Sequence, residues 1–529
     1  MSPSPVAVLH AGGGASERVG SRRQRRILLG ALCLSLFITA VDSTVLNVAL
    51  PTIGRDLHAG GVSGLQWTID AYSLVLASLL LLAGSTGDRL GRRKMFQIGL
   101  VLFGLGSLAC ALAPNLGSLV AFRMLQAVGG SLLQPNALSI LTNVFTDRRE
   151  RAQAIGIWGG VFGIAAAFGP IIGGFLVDSV GWRAIFLVNL PVVVTAFVLL
   201  ARYCPESRAA RARRVDPPGQ LLILAALATI TFAIIEGPQR GWGSPVILGL
   251  FGFGVLALVA FVLVEQRRRE PLVELRFFRS PPFSGAASMA TLAFLILSGF
   301  LFLNTIQLQE VRGYSALLAG VAMLPTTVVM AFGSPVTGFL VARRGPRIPL
   351  VAAGLAFAAG AFILTRTGTA APYLILAVAY VLLGAGFALV NPPITNTAVA
   401  GMPLSQSGVA SAVASSARQL GNVLGVALIG SLTASRLRAE LTQRAASAQL
   451  PAVTQHALAH ASFGATGLSL PSGLPGAEQA DALIRTAFTV AGHAGWALAA
   501  ASGLAITAIA LLTTTAAARA RAERVLAEG

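Results

Sequence analysis

The chain has 529 residues, of which 55% are hydrophobic and 11% are charged. Soluble chains carry about 25% charged residues, so the composition excludes a series of soluble domains. The 39 basic and 20 acidic residues give a formal net charge of +19, but long charge-free runs separate the basic residues. Nucleic acid is therefore not an expected partner despite the basic balance. Cys33, Cys110 and Cys204 predict neither a disulfide framework nor a metal site.

Long apolar runs predict an all-α polytopic membrane protein. A helix needs about 20 apolar residues to cross the hydrocarbon core of a bilayer. The sequence contains fourteen such segments, centred near residues 37, 75, 105, 131, 164, 192, 228, 255, 297, 329, 357, 383, 419 and 502. The uncharged run 367–417 has to be divided between two spans, so this count has a margin of one or two.

Arginine positions predict the orientation of the spans. In the fourteen-span count the arginine clusters all fall on the side of the N-terminus, in residues 18–26, 89–93, 148–151, 208–214, 267–269, 343–347 and 519–524. Positively charged loops stay in the cytoplasm, so both termini are expected there, with 1–26 and 516–529 as cytoplasmic tails of a protein in the inner (cytoplasmic) cell membrane. The same arginines favour contact with anionic membrane lipids.

Two similar loops indicate an internal repeat. Residues 84–93 follow the second span and residues 338–347 follow the tenth, and both contain an arginine, a glycine two residues later and a second arginine. Repeats with a site at their interface are a common construction of secondary transporters. We therefore expect two six-helix bundles, 27–202 and 266–515, separated by a linker and two inserted spans at 203–265.

The segment 436–485 is an unusually long loop on the side away from the arginine clusters. It is rich in Ala, Gln, Ser and Leu. The composition fits either an extracellular amphipathic helix or a partly disordered loop, and it predicts no function.

Ionisable residues inside apolar helices are costly and therefore mark candidate functional sites. The candidates are Asp42 in the first span, Asp70 in the second, Arg123 in the fourth, Arg418 in the thirteenth and Glu236 at the end of the seventh. Burial disfavours the charged form of a carboxyl group and a nearby arginine favours it, so an acid placed in this way can exchange protons near neutral pH. The alternatives are water-accessible interfacial positions for Asp70 and Glu236, a cap or packing hydrogen bond for Asp42, and contacts with backbone carbonyls for the arginines.

Amide side chains accompany these charges. They are Asn47, Gln126, Asn136, Gln307, Gln309 and Asn391. Uncharged amides suit a cavity for bulky amphiphilic molecules, whereas hydrogen bonding between helices is the alternative role for each of them.

Nucleotide chemistry is not indicated. A P-loop requires a Gly-Lys pair followed by Ser or Thr, but the one lysine, Lys94, is followed by Met95. We therefore expect no ATP site, no cofactor and no metal. No nucleophile motif or dinucleotide fingerprint is present, so an enzyme is not expected.

Several motifs together resemble one transporter family. The loop after the second span contains Gly84, Gly87, Asp88, Arg89, Gly91, Arg92 and Arg93. The fifth span contains Gly169, Pro170, Gly173 and Gly174, with Ala165 where a glycine is usual. Arg123 lies in a fourth-span motif, and the runs 41–51, 182–191 and 418–421 match habits of one branch of the family. Over most of its length the chain resembles the major facilitator superfamily, specifically its fourteen-helix drug:proton antiporters of the EmrB/QacA type.

This resemblance implies the major facilitator fold, with two six-helix bundles plus two inserted helices. It implies proton coupling by Asp42 and Asp70 with Arg123 as partner. The amides Asn47, Gln126, Asn136, Gln307 and Asn391, together with Arg418, are then assigned to the substrate cavity.

The loop motif would form a cytoplasmic gate. In it Asp88 would face the start of the thirteenth span near Ser405 and Ser407, and Arg92 would complete a charge latch. The fifth-span motif is typical of antiporters, whose glycines allow close helix packing and whose proline can bend the helix.

The expected function is proton-coupled export of amphiphilic or cationic drug-like molecules, which confers drug or antibiotic resistance. Arginine, alanine and glycine usage points to a bacterial source with a GC-rich genome. A proton-coupled metabolite symporter of the same fold and a non-transporting membrane sensor or scaffold are the alternatives.

Overall fold

The computed structural model describes residues 21–58, 62–145, 147–208, 216–268, 275–399, 407–447, 451, 453–454 and 475–527. Over these residues the regular secondary structure is helical, without a β-strand. The first part contains α1 Arg22–Asp56, α2 Val62–Leu90, α3 Arg92–Ala111, α4 Leu116–Val144, α5 Arg148–Ser179, α6 Ala184–Leu187 and α7 Asn189–Tyr203. A hairpin follows, formed by α8 Pro217–Arg240 and α9 Pro245–Arg267.

The second part begins after a 3₁₀ turn at Leu275–Arg279. It contains α10 Pro281–Ile306, α11 Ala316–Ala322, α12 Leu324–Arg344, α13 Arg347–Leu364, α14 Tyr373–Val399, α15 Ser407–Ser447, α16 Ala477–Thr513 and α17 Ala516–Ala527. A π-helical turn, Gln307–Val311, extends α10. The predicted loop 436–485 is shorter than expected, because α15 continues to Ser447 and α16 begins at Ala477; most of the intervening stretch lies outside the described residues.

Capping residues explain several helix starts. The Asn115 side chain accepts from the Ser118 N–H at 2.9 Å and begins α4. Asp216, followed by proline, begins α8 and accepts from the Gly219 N–H at 3.2 Å. Such side chains satisfy backbone N–H groups that lack a partner within the helix.

Twelve helices in the described part are long and apolar enough to cross a membrane. A thirteenth is counted if α2 is one span despite its bend of 51°. Within α5 the apolar stretch is the shorter Phe168–Ser179. Every one of the fourteen predicted centres lies in a helix, but the length and hydropathy test supports twelve or thirteen crossings rather than fourteen.

The helices pack in two groups joined along a seam. Helices α1 to α7, which pack mainly with one another, are called the first half, and α10 to α16 are called the second half, in which α11 packs chiefly on α5. The halves meet where α2 packs on α15 and α5 packs on α11. The hairpin α8–α9 contacts both α2 and α15 through α8. Helix α9 has the highest mean hydropathy, 2.8, and one of the lowest buried shares, 22%, as expected of a helix that faces lipid.

We name the two ends of the bundle by their charge. The arginine-rich end includes residues 89–94, 147–151 and 343–347, and the arginine-poor end includes residues 56–58 and 309–316. Each long helix runs from one end to the other, so both ends contain residues from both halves.

Candidate functional site

A buried carboxylate in the first half is held by three side chains from other helices. Asp42 of α1 accepts from Arg123 NH1 at 2.6 Å and from Gln126 Nε2 at 2.9 Å, both on α4. It also accepts from Asn189 Nδ2 of α7 at 3.0 Å. The side chains of Asp42 and Arg123 are 1% and 2% exposed. The site is therefore an ion pair sealed inside the helix bundle.

The surroundings of Arg123 compensate its charge in several ways. Its guanidinium lies 4.1 Å from the centre of the Tyr72 ring, a cation–π distance, and NH1 also donates to Gln126 Oε1 at 2.7 Å. A buried ion pair recovers its desolvation cost only when its remaining hydrogen-bonding groups find partners. Arg123 Nε is buried without a hydrogen-bond partner among the described residues, so the network is only partly satisfied, and removal of either charged member is costly.

Asn189 is a site residue that the sequence indicates only as part of the run 182–191. Its amide nitrogen donates to Asp42 and also to Ser107 Oγ at 2.9 Å, and Ser107 in turn donates to the Phe186 carbonyl at 2.8 Å. Asn189 is fully buried at the first position of α7, directly before the apolar run 190–194. A buried amide at this position is the sequence signal that could identify Asn189 as a site residue. Its hydrogen bond fixes the orientation of the Asp42 carboxylate.

Asp70 occupies a different environment from Asp42. It is 0% exposed, and neither carboxyl oxygen has a hydrogen-bond partner among the described residues. Arg123 pairs with Asp42 and not with Asp70, so the expected shared partnership is not found. Gln66, one turn earlier on α2, donates across the seam to the Val426 and Ala427 carbonyls of α15 at 2.9 and 3.0 Å. Residues four apart share a helix face, which places Asp70 near the boundary between the halves.

The other predicted cavity residues are spread through the bundle. Asn47 donates weakly to the Ser43 carbonyl at 3.4 Å, and Asn136 donates to the Leu132 carbonyl at 2.7 Å, both within their own helices. Gln307 donates to Thr489 Oγ1 at 3.1 Å inside the second half. Asn391 is half-buried on α14, and Arg418 of α15 lies 6.0 Å from the Phe294 ring centre. Of the six residues, Gln126 is the one that joins the Asp42 network.

The loop motif between α2 and α3 forms a compact local structure. Arg92 donates to Asp88 Oδ1 from Nε at 2.9 Å and from NH2 at 2.7 Å. Gly91 has a φ of +116°, a backbone conformation that glycine adopts without strain. A Cβ at Gly87 would also collide with the Asn136 side chain of α4. The expected contact of Asp88 with Ser405 lies outside the described residues, and the structure describes Ser407 by its backbone alone.

Glu206 anchors this motif from the other end of the first half. Its carboxylate accepts from the Arg93 and Lys94 N–H groups, each at 3.1 Å, at the start of α3. A carboxylate is favourable there because it satisfies unpaired N–H groups and faces the positive end of the helix dipole. Arg93 NH2 donates to the Ala201 carbonyl at 2.7 Å. Glu206 is not identifiable from the sequence, since nothing in its local pattern indicates contact with a helix that starts more than one hundred residues earlier.

Cys204 lies directly beside this anchor. It is 2% exposed, and burial raises the pKa of its thiol to about 12. The thiol therefore stays protonated at neutral pH.

The glycines of α5 allow two close helix contacts. Gly173 packs against Val45 of α1, where an added Cβ would lie 2.9 Å from the Val45 carbonyl oxygen. Gly174 packs against the backbone of Ala316 and Leu317 across the seam. Gly169 lies against Thr44, and Pro170 lies against Gly320 of α11. The motif thus places α5 between α1 and the second half.

Hydrogen bonds across the seam occur at the arginine-poor end. Asp178, at the end of α5, accepts from the Ala316 and Leu317 N–H groups of α11 at 3.3 and 2.8 Å. Gln309 donates to the Val48 carbonyl of α1 at 2.8 Å. A polar cavity of about 240 Å³ lies beside these contacts. The two halves are therefore joined at this end of the described structure.

The sequence pattern of the Major Facilitator Superfamily matches residues 32–426. The chain belongs to this superfamily. It is 37% identical over 437 residues to the multidrug resistance protein Stp of Mycobacterium tuberculosis, an alignment that covers 83% of this chain and 81% of that protein. Members of the superfamily are transporters, so the chain is a multi-pass membrane transport protein.

Two further relatives are resistance proteins of Streptomyces. The tetracenomycin C resistance and export protein of Streptomyces glaucescens is 37% identical over 489 residues, 91% of this chain and 90% of that protein. The puromycin resistance protein pur8 of Streptomyces alboniger is 38% identical over 428 residues, 80% of this chain and 84% of that protein.

Solved structures share the fold. A bacterial homologue of the human lysosomal transporter Spinster, in an inward-facing and unoccupied conformation, matches with a TM-score of 0.65 at 18% identity. The match covers 96% of this chain and 99% of that one. At this identity the likeness concerns the fold alone.

Proposed function

We propose that the protein is a proton-coupled exporter of amphiphilic or cationic small molecules that confers drug or antibiotic resistance. The observation that carries the proposal is the sealed Asp42–Arg123 pair, an ionisable centre inside apolar helices. The resistance and export functions in the names of relatives at 37–38% identity support the substrate class.

The proposed orientation places the arginine-rich end in the cytoplasm, together with both termini. The positive-inside rule supports this placement. We propose fourteen crossings, because α2 and α5 are long enough to span together with the twelve helices counted above. The halves then correspond to bundles 27–202 and 266–515, with the α8–α9 hairpin as the inserted pair.

The two carboxyl groups take different roles in this proposal. Asp42 is held in place in this conformation, because its carboxylate accepts from Arg123 and from two amides. Asp70 is neutral, because a buried carboxylate without a partner is strongly unfavourable. Asp70 therefore carries a proton while the arginine-poor end is closed, and releases it when the site gains access to water from the arginine-rich end.

The transport cycle follows from alternating access to this site. Protons enter from the outside, where their concentration is higher in an energised cell, and displace a cationic or amphiphilic substrate. Deprotonation towards the cytoplasm resets the protein for the next substrate. A ligand or proton shifts such an equilibrium only through its different affinity for the two conformations.

Transport in proteoliposomes tests the proposal. We expect movement of ethidium, a cationic dye, to follow an imposed pH gradient in the direction opposite to proton flow. Asp42→Asn and Asp70→Asn should each abolish the dependence on the gradient, whereas Asp56→Asn, an aspartate at the arginine-poor end, should not. Dye movement in the same direction as protons would favour a symporter, and movement unaffected by the gradient would reject proton coupling.

A further inference from the structure

Near the arginine-poor end, the inserted helix α8 forms hydrogen bonds with both halves. It holds α2 through Gln239 Nε2, which donates to Ser63 Oγ at 2.7 Å, and through Glu236, which accepts from Trp67 Nε1 at 3.4 Å. The Trp67 and Phe232 rings lie 5.5 Å apart, which adds an aromatic contact. Arg240 pairs with Glu236 at 3.2 Å and orients its carboxylate.

The same stretch of α8 also holds α15 of the second half. Ser431 Oγ donates to the Ile234 carbonyl at 2.6 Å, and Arg438 NH1 donates to the Pro238 carbonyl at 3.1 Å. Trp242 Nε1, just beyond α8, donates to Ser435 Oγ at 3.4 Å. Beneath these bonds a small apolar cluster contains Ile234, Ile235, Ala427, Trp67, Leu424 and Leu428, from all three helices.

The contacts of α8 with α2 and with α15 differ in where their hydrogen bonds lie along α8. Gln220, at the other end of α8, donates to the Ser78 carbonyl of α2. The α2 contacts thus run from Ser63 to Ser78, about 22 Å along a helix at 1.5 Å per residue. The hydrogen bonds to α15 run from Ser431 to Ser435 and Arg438, about 10 Å near one end. Apolar contacts between α8 and α15 continue to Leu424, but the hydrogen bonds to α15 all lie near one end of α8. A tilt of one half against the other would therefore break the hydrogen bonds to α15, whereas those to α2 hold both ends of α8.

We propose that the α8–α9 hairpin is a clamp that closes the α2–α15 seam at the arginine-poor end and moves with the first half. When this end opens, α8 stays on α2 and releases α15. The inserted pair therefore biases the transporter towards the conformation that is closed at this end. The naming of this end as extracellular, and the place of the clamp in a transport cycle, rest on the proposed function.

The clamp predicts an asymmetric response to cross-linking. In a chain whose three native cysteines are replaced by alanine, one variant carries Trp242→Cys with Ser435→Cys and a second carries Ser63→Cys with Gln239→Cys. A short, reductant-cleavable bis-thiol cross-linker should stop ethidium transport in the first variant, with recovery after dithiothreitol. It should leave transport in the second variant unchanged. Equal transport with α8 linked to α15, or arrest with α8 linked to α2, would overturn the proposal.

A distance measurement tests the clamp without transport. Spin labels at Leu112→Cys and Leu374→Cys, both exposed and in different halves, report the separation across the arginine-poor end. Ser431→Ala with Arg438→Ala should raise the ratio of open to closed protein about fivefold or more, since each hydrogen bond contributes about 1 kcal/mol. The matched pair Arg436→Ala with Thr442→Ala, on the same helix, should leave the ratio unchanged.

The two measurements separate the clamp from the function. An unchanged distance distribution in Ser431→Ala with Arg438→Ala would refute the clamp even if transport follows the pH gradient. A shifted distribution in a protein that moves no ethidium would support the clamp and contradict the proposed function.

Discussion

The Asp42–Arg123 pair makes a quantitative prediction about stability. Asp42→Asn removes the negative charge and leaves the guanidinium of Arg123 buried and uncompensated. Loss of one partner of a buried ion pair costs about 3–5 kcal/mol, and the cation–π contact with Tyr72 is present in both proteins and cancels in their difference. We therefore expect a loss of about 3–5 kcal/mol in the free energy of unfolding.

The second half of this prediction is a rescue. Replacing both members of a buried pair with uncharged residues is often neutral, so Asp42→Asn combined with Arg123→Met should recover most of the stability lost in Asp42→Asn. Tryptophan fluorescence during denaturation of the detergent-solubilised protein provides the measurement. Asp56→Asn is the control, because Asp56 is half-exposed, its ion pair with Arg183 is long at 4.0 Å and exposed pairs contribute at most about 1 kcal/mol.

Two results would refute this reasoning. One is a loss in Asp42→Asn no larger than the loss in Asp56→Asn. The other is a double variant whose loss equals the sum of the two single losses, because independent sites add and interacting sites do not.

Three further predictions concern residues around the site and the seam. Gly174→Ala should prevent full closure of the arginine-poor end and lengthen the spin-label separation, because the added Cβ would meet the backbone of Ala316 and Leu317. Gly249→Ala is the control, because Gly249 has open space around it. An unchanged separation in Gly174→Ala would contradict the packing role. Glu206→Ala should lower the free energy of unfolding by about 1 kcal/mol, because α3 loses a cap. Glu478→Ala, in an exposed first turn, is the control and should change the free energy of unfolding less. Equal effects of the two substitutions would show that Glu206 does not anchor the start of α3. Asp178→Asn should raise the ratio of protein open to protein closed at the arginine-poor end about two- to fivefold, since a charge at an exposed helix start contributes about 0.3–1 kcal/mol. The same ratio as in the parent protein would show that the Asp178 carboxylate does not hold the two halves together.

The helices are predictable from the sequence, because a helix that crosses a bilayer needs an apolar run of a minimum length. Each predicted centre lies in a helix, yet the tenth span is interrupted at Met323, where α11 ends and α12 begins. The interruption is accompanied by neighbours in α5 that pack against α11, and its local sequence signal is Pro325 in the first turn of α12. The count of crossings was less secure for α2 and α5, whose polar and small residues weaken the hydropathy signal.

The candidate site was predictable where a charge stands in an apolar helix. Asp42, Asp70 and Arg123 were found in this way, and the Asp42–Arg123 contact is present. The sequence could not show which neighbours surround Asp70, because residues of one helix face different partners. On α2, Tyr72 faces Arg123, whereas Gln66 faces α15. Glu206, Asp178 and the bridging position of α8 depend on contacts between distant segments, which the sequence alone does not reveal.

Proton counterflow tests the central claim most directly. In proteoliposomes that contain trapped pyranine, an imposed ethidium gradient without a pH gradient should drive protons in the direction opposite to the dye. Asp70→Asn should abolish this proton flux, and Asp56→Asn should preserve it. Ethidium movement through the unaltered protein without any accompanying proton flux would contradict proton-coupled export.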